Sequence, residues 1–424
     1  MTDRIPENVK LIITTLESAG YEAYIVGGCV RDIIMGTEPV DWDIATSATP
    51  SQSKALFLRT VDTGLKHGTI TVLLGVERYE VTTYRIDGIY LDGRRPESVE
   101  FTRDIHEDLS RRDFSINAIA FSPTHGFIDP FHGREHIETR LIKCVGQAAA
   151  RFEEDALRML RAIRFAAVLG FVVDKDIIDA ATSLRENLKL ISPERIRDEL
   201  MKSLQGTHPQ ALTLLESTGI MPFVLRGRKY GGDLPATIER LRVLPGLTRG
   251  LVCQGIAAMN LIQCRNDMGR VVSSLALALF LSWSGEECEG ILRDLHFDNK
   301  TIKYVSLCVR LLPKEFSPDR YEIKKLLKHL VPNSLEVFEN LLILKAANGE
   351  SPTLLEALRR ESRDIAAKNE CFTLRDLDIN GDDLAKAGIS TGKAMGETLE
   401  ALLDTVMKFP NMNKKALLLT KLHQ

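Results

Sequence analysis

The sequence predicts an α+β protein: a head built on a small sheet, followed by all-α neck, body and tail segments. Three observations lead there. Through the first 145 residues, short β-rich runs are broken by Gly and Pro turns. From about residue 150, apolar residues recur at helical spacing instead. Strands and helices of the first part also fail to alternate as strict βαβ units, which disfavours a doubly wound dinucleotide fold.

Taken in order, residues 7–19 are amphipathic and stop at Gly20, as a helix does. Residues 23–26, 42–45, 69–74, 79–84 and 98–101 read as strands, with a turn between Gly36 and Pro39. A helix is expected to start near Pro50 and another to hold residues 116–121. Leu157, Leu160, Ile163, Phe165 and Leu169 then mark a helix that Gly170 ends. Further helices fit 176–187, 193–204, 209–218, 234–243, 271–283, 300–311, 320–330, 334–345, 353–368 and 396–409. Linkers fit 225–233 and 312–318, which divides the chain into a head (1–145), neck (146–225), body (226–315) and tail (316–424). A chain of 424 residues is too long for one compact core.

Composition is that of a soluble globular protein, 44% hydrophobic and 27% charged. Seven scattered cysteines, an odd number with no Cys-x-x-Cys pair, argue against a disulfide framework or zinc knuckle and for a reducing cytoplasm. The polar N-terminus is unlike a signal peptide, and the apolar run from Val271 to Leu281 is too short to span a bilayer. No membrane association is expected.

Chemistry concentrates in three motifs. In the first, Gly27-Gly28-Cys29-Val30-Arg31-Asp32 follows a strand, and Asp41-Trp42-Asp43 comes soon after. Paired glycines let backbone amides approach a phosphate closely. Asp41 and Asp43, at i and i+2 on a strand, share one face and can hold two Mg²⁺ ions for in-line phosphoryl transfer. Without the glycines, Asp-x-Asp would read as a solvated polar turn. The second motif, Arg111-Arg112-Asp113-Phe114-Ser115-Ile116-Asn117, reads on its own as a charged helix cap. It can also grip a nucleotide: Arg112 on phosphate or sugar, Asp113 on a ribose 2′-OH, Asn117 bracing either. The third runs from Glu154 and Asp155 through Arg158 and Arg161 to Arg164. Asp155 and Arg158 stand at i, i+3 of a presumed helix, an acceptor beside a donor. Cytosine and adenine both present an amino donor beside a ring-nitrogen acceptor, whereas uracil and guanine present the reverse. Such a pair therefore accepts C and A. Arg161 and Arg164 drift round the helix, about 60° per three-residue step, and suit phosphate or template-helix support. A salt-bridged exposed face is the plain alternative.

Together these motifs resemble the class II, bacterial-type tRNA nucleotidyltransferases of the polymerase β-like and poly(A) polymerase family. The resemblance rests on GGCVRD…DWDIAT, Arg-Arg-Asp and Glu-Asp-x-x-Arg. It implies that Asp41 and Asp43 are catalytic metal ligands and that Glu80, on a later strand, is the third catalytic carboxylate; an ordinary exposed strand glutamate is the alternative. It implies nucleotide binding by Gly27, Gly28, Arg31, Arg112, Asp113, Asn117, Glu154, Asp155, Arg158, Arg161 and Arg164. Residues 85–96 resemble the loop that such enzymes use when switching from C to A addition, and residues 191–200 a segment that supports the base-reading helix. The implied function is addition of C, C and A to the 3′ end of tRNA from CTP and ATP, with Mg²⁺. A specialist A-adding enzyme shares every motif. A poly(A) polymerase and a non-catalytic RNA-binding module are the other readings. The net charge of −3 argues against the usually more basic poly(A) polymerases and confines any RNA surface to a local patch. In the tail, Lys324, Lys325 and Lys328 share one helix and read as a solvated face.

Overall fold

The computed structural model describes residues 1–88, 99–253 and 265–422. The chain parts into two compact units, residues 1–238 with 290–298 and residues 239–289 with 299–424. In the first unit, helix α1 (Glu7–Ser18) buries Val9, Ile12, Ile13 and Leu16 on one stripe. Strand β1 (Ala23–Val26) is buried along its whole length. Helix α2 (Gly28–Ile34), strand β2 (Asp43–Thr46) and helix α3 (Pro50–Leu56) follow. A Thr49–Gln52 capping box and Pro50 in the first turn fix where α3 starts.

Strands β3 (Thr60–Gly64), β4 (Thr69–Leu74) and β5 (Glu77–Thr83) form one wing of the sheet. After the β6 (Arg85–Asp87) and β7 (Val99–Phe101) pair and helix α4 (Ile105–Ser110), strands β8 (Ala120–Ser122) and β9 (Gly126–Ile128) form the other, and helix α5 (Gly133–Glu138) closes the head. The seven-stranded order is β3-β4-β5-β2-β1-β8-β9. The β2–β5 pair is parallel and the other pairs are antiparallel. Tyr24, Val26, Ala45, Tyr84, Ile105, Leu109, Ala118 and Ala120 pack into one core; each fully buried large apolar side chain contributes roughly 1.5–3 kcal/mol.

Residues 116–121 correct the helix expectation. One 3-10 turn, Ser115–Asn117, leads into β8, where Ile25 pairs with Phe121 and Val26 with Ala120. A short, mostly apolar run does not distinguish a buried strand from a buried helix, and the open edge of β1 decides it. Strand β3 was not foreseen because its exposed Thr-Val-Asp-Thr-Gly carries no apolar alternation.

The neck follows with strand β10 (Leu141–Ile142), helices α6 (Ala148–Glu154) and α7 (Leu157–Leu169), and strand β11 (Val172–Val173), parallel to β10. Helices α8 (Lys175–Leu184), α9 (Pro193–Leu204), α10 (Thr213–Ser217) and α11 (Met221–Val224) complete it. Gly170 ends α7 at φ 71, the left-handed conformation that a C-terminal glycine adopts freely.

Helix α12 (Leu234–Cys253) carries the chain onward. The remaining described residues form α13 (Arg265–Phe280), α14 (Cys288–Asp294), α15 (Asn299–Leu311), α16 (Arg320–His329), α17 (Ser334–Ala347), α18 (Pro352–Ala367), α19 (Gly381–Lys386), α20 (Lys393–Lys408) and α21 (Lys415–Lys421). Leu377, Ile379, Leu384, Leu402, Leu403 and Val406 make the core of the last of these. Lys324 corrects the solvated-face expectation: it is fully buried, with Nζ 2.5 Å from Glu370 and 3.1 Å from the Met407 carbonyl oxygen. Among the described residues, no helix is long and apolar enough to cross a membrane. Cys29, Cys144, Cys288, Cys308 and Cys371 are buried free thiols.

Candidate active site

Asp43 opens β2 and stands in register with Glu80 across the parallel β2–β5 ladder. Residues in register share a face of the sheet, and adjacent strands lie about 4.8 Å apart. The fold thus brings Glu80 beside the Asp41–Asp43 pair. Burial, then repulsion from Asp43 and Asp41, lifts Glu80 above the usual carboxylate range. Burial also lifts Asp43; Arg112 pulls it back and Asp41 adds to the rise. These are like charges held together without enough positive charge among their protein neighbours. No group of three or more His, Cys, Asp or Glu is preassembled as a ligand cage among the described residues. The donor chemistry nevertheless fits Mg²⁺, which takes one or two carboxylates and completes its shell with water and substrate phosphate oxygens. Asp41 and Asp43 could hold it.

Gly27 caps α2 at φ 79, and a Cβ there would lie 2.9 Å from Arg112 Nη1 and 4.0 Å from Asp43 Oδ2. Only glycine lets the backbone, the guanidinium and the carboxylate converge. Gly28 is less constrained, since its Cβ would meet only Arg31 Nη2, at 3.6 Å.

Arg112 is aimed by Asp108, a carboxylate sequence reasoning missed. Asp108 is wholly buried on α4; its Oδ2 accepts from Arg112 Nη2 at 3.2 Å and its Oδ1 from Arg111 Nη2 at 2.8 Å. Burial pushes Asp108 up, but Arg112 and Arg111 outweigh it and hold the carboxyl below the usual range. The available signal was spacing: Asp108 precedes the two arginines by three and four residues, one helical turn.

Asp113 is 8% exposed and surrounded by donors. Its Oδ1 accepts from the Phe114 amide at 2.8 Å and Asn117 Nδ2 at 3.3 Å, and its Oδ2 from Arg161 Nε at 2.7 Å. Asn117 Oδ1 in turn accepts from Arg31 Nη1 at 2.6 Å, which ties the glycine helix to the Arg-Arg-Asp motif.

The expectation that Asp155 and Arg158 occupy one continuous helix is corrected. The helix breaks at Asp155, whose φ −147 and ψ 101 are extended, and restarts as α7. Asp155 Oδ1 accepts from the Leu157 amide at 3.0 Å, and Oδ2 pairs with Arg195 Nη2 at 2.6 Å. These local and long-range bonds replace the helical ones that the break removes. Arg158 is held by Glu154 at 2.5 Å and donates to the Arg111 carbonyl oxygen at 3.2 Å. The two side chains are 9% and 7% exposed, each anchored by a different partner. Arg195 lies in the 191–200 segment and reaches Asp155 through this ion pair.

With Asp155 outside α7, helical drift does not place Arg161 and Arg164; their partners do. Arg161 pairs with Asp113, and Arg164 Nε with Glu199 at 2.7 Å. With Arg31 they surround the Phe165 ring, their guanidiniums 5.4 Å (Arg31), 5.5 Å (Arg161) and 3.9 Å (Arg164) from its centroid. Glu199 was also missed. It interrupts the buried stripe Ile196, Leu200, Ser203, Leu204 of α9, and a charge on a buried stripe signals a buried partner. Of the loop expected over residues 85–96, strand β6 is paired with β7, and residues 89–98 lie outside the described residues.

Three family models match the chain: the poly A polymerase head domain over residues 23–143, the RNA and SrmB-binding site of polymerase A over 170–230, and tRNA nucleotidyltransferase domain 2 over 273–422. A CCA-adding enzyme of Lactiplantibacillus plantarum is 37% identical over 412 residues, covering 94% of this chain and 91% of its own. That of Levilactobacillus brevis is 36% identical over 425 residues, 96% of each. The crystal structure of the Bacillus stearothermophilus CCA-adding enzyme with CTP superimposes with a TM-score of 0.77 at 32% identity, covering 98% of this chain and 96% of that one. With relatives of this identity matched over nearly their full length, and a head-domain model spanning the carboxylates and the Arg-Arg-Asp motif, the chain belongs to the family of CCA-adding enzymes.

Proposed function

We propose that this chain adds C, C and A to the 3′ end of tRNA, drawing on CTP and ATP, releasing pyrophosphate and using no nucleic-acid template. The observation that carries the reading is Asp155 beside Arg158, an acceptor and a donor both nine-tenths buried and both pinned by charged partners. Pinning matters, because a floppy pair would accept either order of donor and acceptor on the base. Held as they are, Asp155 receives the exocyclic amino group and Arg158 donates to the ring nitrogen, the pattern that C and A share.

In this reading Arg112, aimed by Asp108, binds the incoming nucleotide's phosphate or sugar, with Arg31 and the Gly27-Gly28 turn beside it. Asp113 receives the ribose 2′-OH, while Glu154 fixes Arg158. Arg161, paired with Asp113, stands behind the ribose reader, and Arg164 serves phosphate or template-helix support. Asp41 and Asp43 hold Mg²⁺, with Glu80 as the third carboxylate. When bound, the metal would acidify the attacking 3′-OH and offset the charge of the triphosphate. Asp43 and Glu80, in register on β2 and β5, and Asp41 just before β2 together present the oxygen ligands for that metal. The head (1–145) then carries the chemistry, the neck (146–225) reads the base, and the body (226–315) and tail (316–424) hold the tRNA. The site of action is the cytoplasm.

The test is purified protein with Mg²⁺, each NTP in turn, and tRNA transcripts lacking CCA, ending in one added C, or ending in CC. Addition of C to the first two and of A to the third is the expected result. Addition of A alone, to CC ends only, selects a specialist A-adding enzyme; A tracts on any RNA select a poly(A) polymerase.

A further inference from the structure

A carboxylate has about four lone-pair positions. Asp113 has three hydrogen-bond donors on them, the Phe114 amide and Asn117 Nδ2 on Oδ1 and Arg161 Nε at 2.7 Å on Oδ2, and Arg161 Nη2 crowds the same Oδ2 at 2.6 Å as an ion pair. The acid that would read the ribose is therefore occupied on both oxygens. At 8% exposure little of it is open to a further contact. A 2′-OH can be accepted only if a donor yields. The Phe114 amide is fixed by the backbone, and Asn117 is held from its other end by Arg31 at 2.6 Å. Arg161 is different. Its Nη1 lies 3.9 Å from Oε1 of Glu199, a second carboxylate buried to 4% exposure, whose Oε2 lies 2.7 Å from Arg164 Nε as an ion pair without hydrogen-bond geometry. Arg161 thus stands between two buried carboxylates, close on one and just beyond hydrogen-bond distance from the other.

We propose that Arg161 and Glu199 determine sugar selectivity: Arg161 holds Asp113 until a ribonucleotide arrives, then shifts towards Glu199 and releases one Oδ2 lone pair to the 2′-OH. Arg161 and Glu199 are positioning residues that act through Asp113, and the proposal rests on Asp113 being the ribose reader. A deoxynucleotide offers no hydroxyl to replace the bond that Arg161 would give up. The shift is then unfavourable and Asp113 stays closed. Without Glu199, Arg161 has no second anchor. Without Arg161, Oδ2 of Asp113 is open to a 2′-OH with no bond to give up, while the Phe114 amide and Asn117 still hold Oδ1.

The measurement is single-nucleotide addition to tRNA lacking CCA, with CTP and with dCTP, for Arg161→Gln, Glu199→Gln and Asp113→Asn. The quantity read is the ratio of kcat/KM for the two nucleotides. Because both come from one preparation, partial misfolding cancels. A hydrogen bond to a charged group sets the scale, so the ratio should fall about tenfold to a hundredfold in Glu199→Gln and Asp113→Asn and rise in Arg161→Gln. A fall in Asp113→Asn with wild-type ratios in Arg161→Gln and Glu199→Gln would overturn the relay and leave Asp113 as the reader. An unchanged ratio in all three would overturn both.

Discussion

Two sets of carboxylates in the first unit stand in opposite electrostatic states. Asp43 and Glu80 are raised above the usual carboxylate range, chiefly by burial; repulsion from Asp41 adds to the rise of Asp43 against the pull of Arg112, and Asp43 and Asp41 add to that of Glu80. Asp108 and Asp113 are more deeply buried, yet both are lowered, because arginines outweigh the burial. The first set is crowded with like charge. The second is paired with arginines, Asp108 with Arg111 and Arg112 and Asp113 with Arg161. Burial alone does not set the sign of a shift; the neighbours do.

The strongest way to break this comparison is to remove the crowded charge. Asp41→Ala or Asp43→Ala should lower nucleotide transfer by at least about 100-fold, the scale of losing one strong electrostatic group at a reacting centre. tRNA affinity should hold, since it rests mainly on backbone contacts. Substantial turnover by either variant in Mg²⁺, measured by single-turnover extension, would sink the assignment.

The paired set should fail differently. Asp108→Asn breaks a buried pair and should cost about 3–5 kcal/mol of stability by denaturant titration. Because the native carboxyl titrates below its ordinary value, its contribution is fully present above about pH 4 and is lost as pH falls through the depressed value. The variant should therefore show less of this acid-side loss than the wild type. Equal acid sensitivity in both would show that the Asp108 pairs contribute nothing.

Between these lies the base reader. Asp155→Ala or Arg158→Ala should lower selection of C and A over U and G by about one to two orders of magnitude, since a bidentate edge contact is worth roughly 1–3 kcal/mol. Equal loss of rate with all four nucleotides would make the pair structural.

The smallest effect sharpens the contrast most. Asp43→Asn removes one of the crowded charges, so in metal-free buffer at neutral pH it should raise the melting midpoint by about 2 °C while abolishing activity. For such a raised carboxyl, stability declines as pH rises through the elevated value, and the amide escapes that decline. A lowered midpoint would show that the ionised aspartate is stabilising after all.

Much of the site was legible in the sequence because its signals are local. Gly27-Gly28, Asp41-x-Asp43, Arg-Arg-Asp and Glu-Asp-x-x-Arg are each a few consecutive residues, and α9 carries its own helical periodicity and a proline in its first turn. What stayed hidden depends on distant chain segments. Residues 116–121 read as helix until the edge of β1 claimed them as β8. Spacing put Asp155 and Arg158 on one helix, whereas Arg195, forty residues on, and the Leu157 amide hold Asp155 at a break between two. Lys324 looked solvated because its partner Glu370 lies on another part of the chain.

The sequence by itself determined the chemistry: which carboxylates, guanidiniums and glycines are present, and at what local spacing. The tertiary structure alone decided which charges are satisfied. Glu80 meets Asp43 only through the register of two parallel strands, and Arg161 reaches Asp113 and Glu199 only because α7 and α9 pack beside the head. Spacing along a chain sets which face a side chain takes; the packing of separate elements sets what it meets there, and the strength of a charge interaction depends on that meeting.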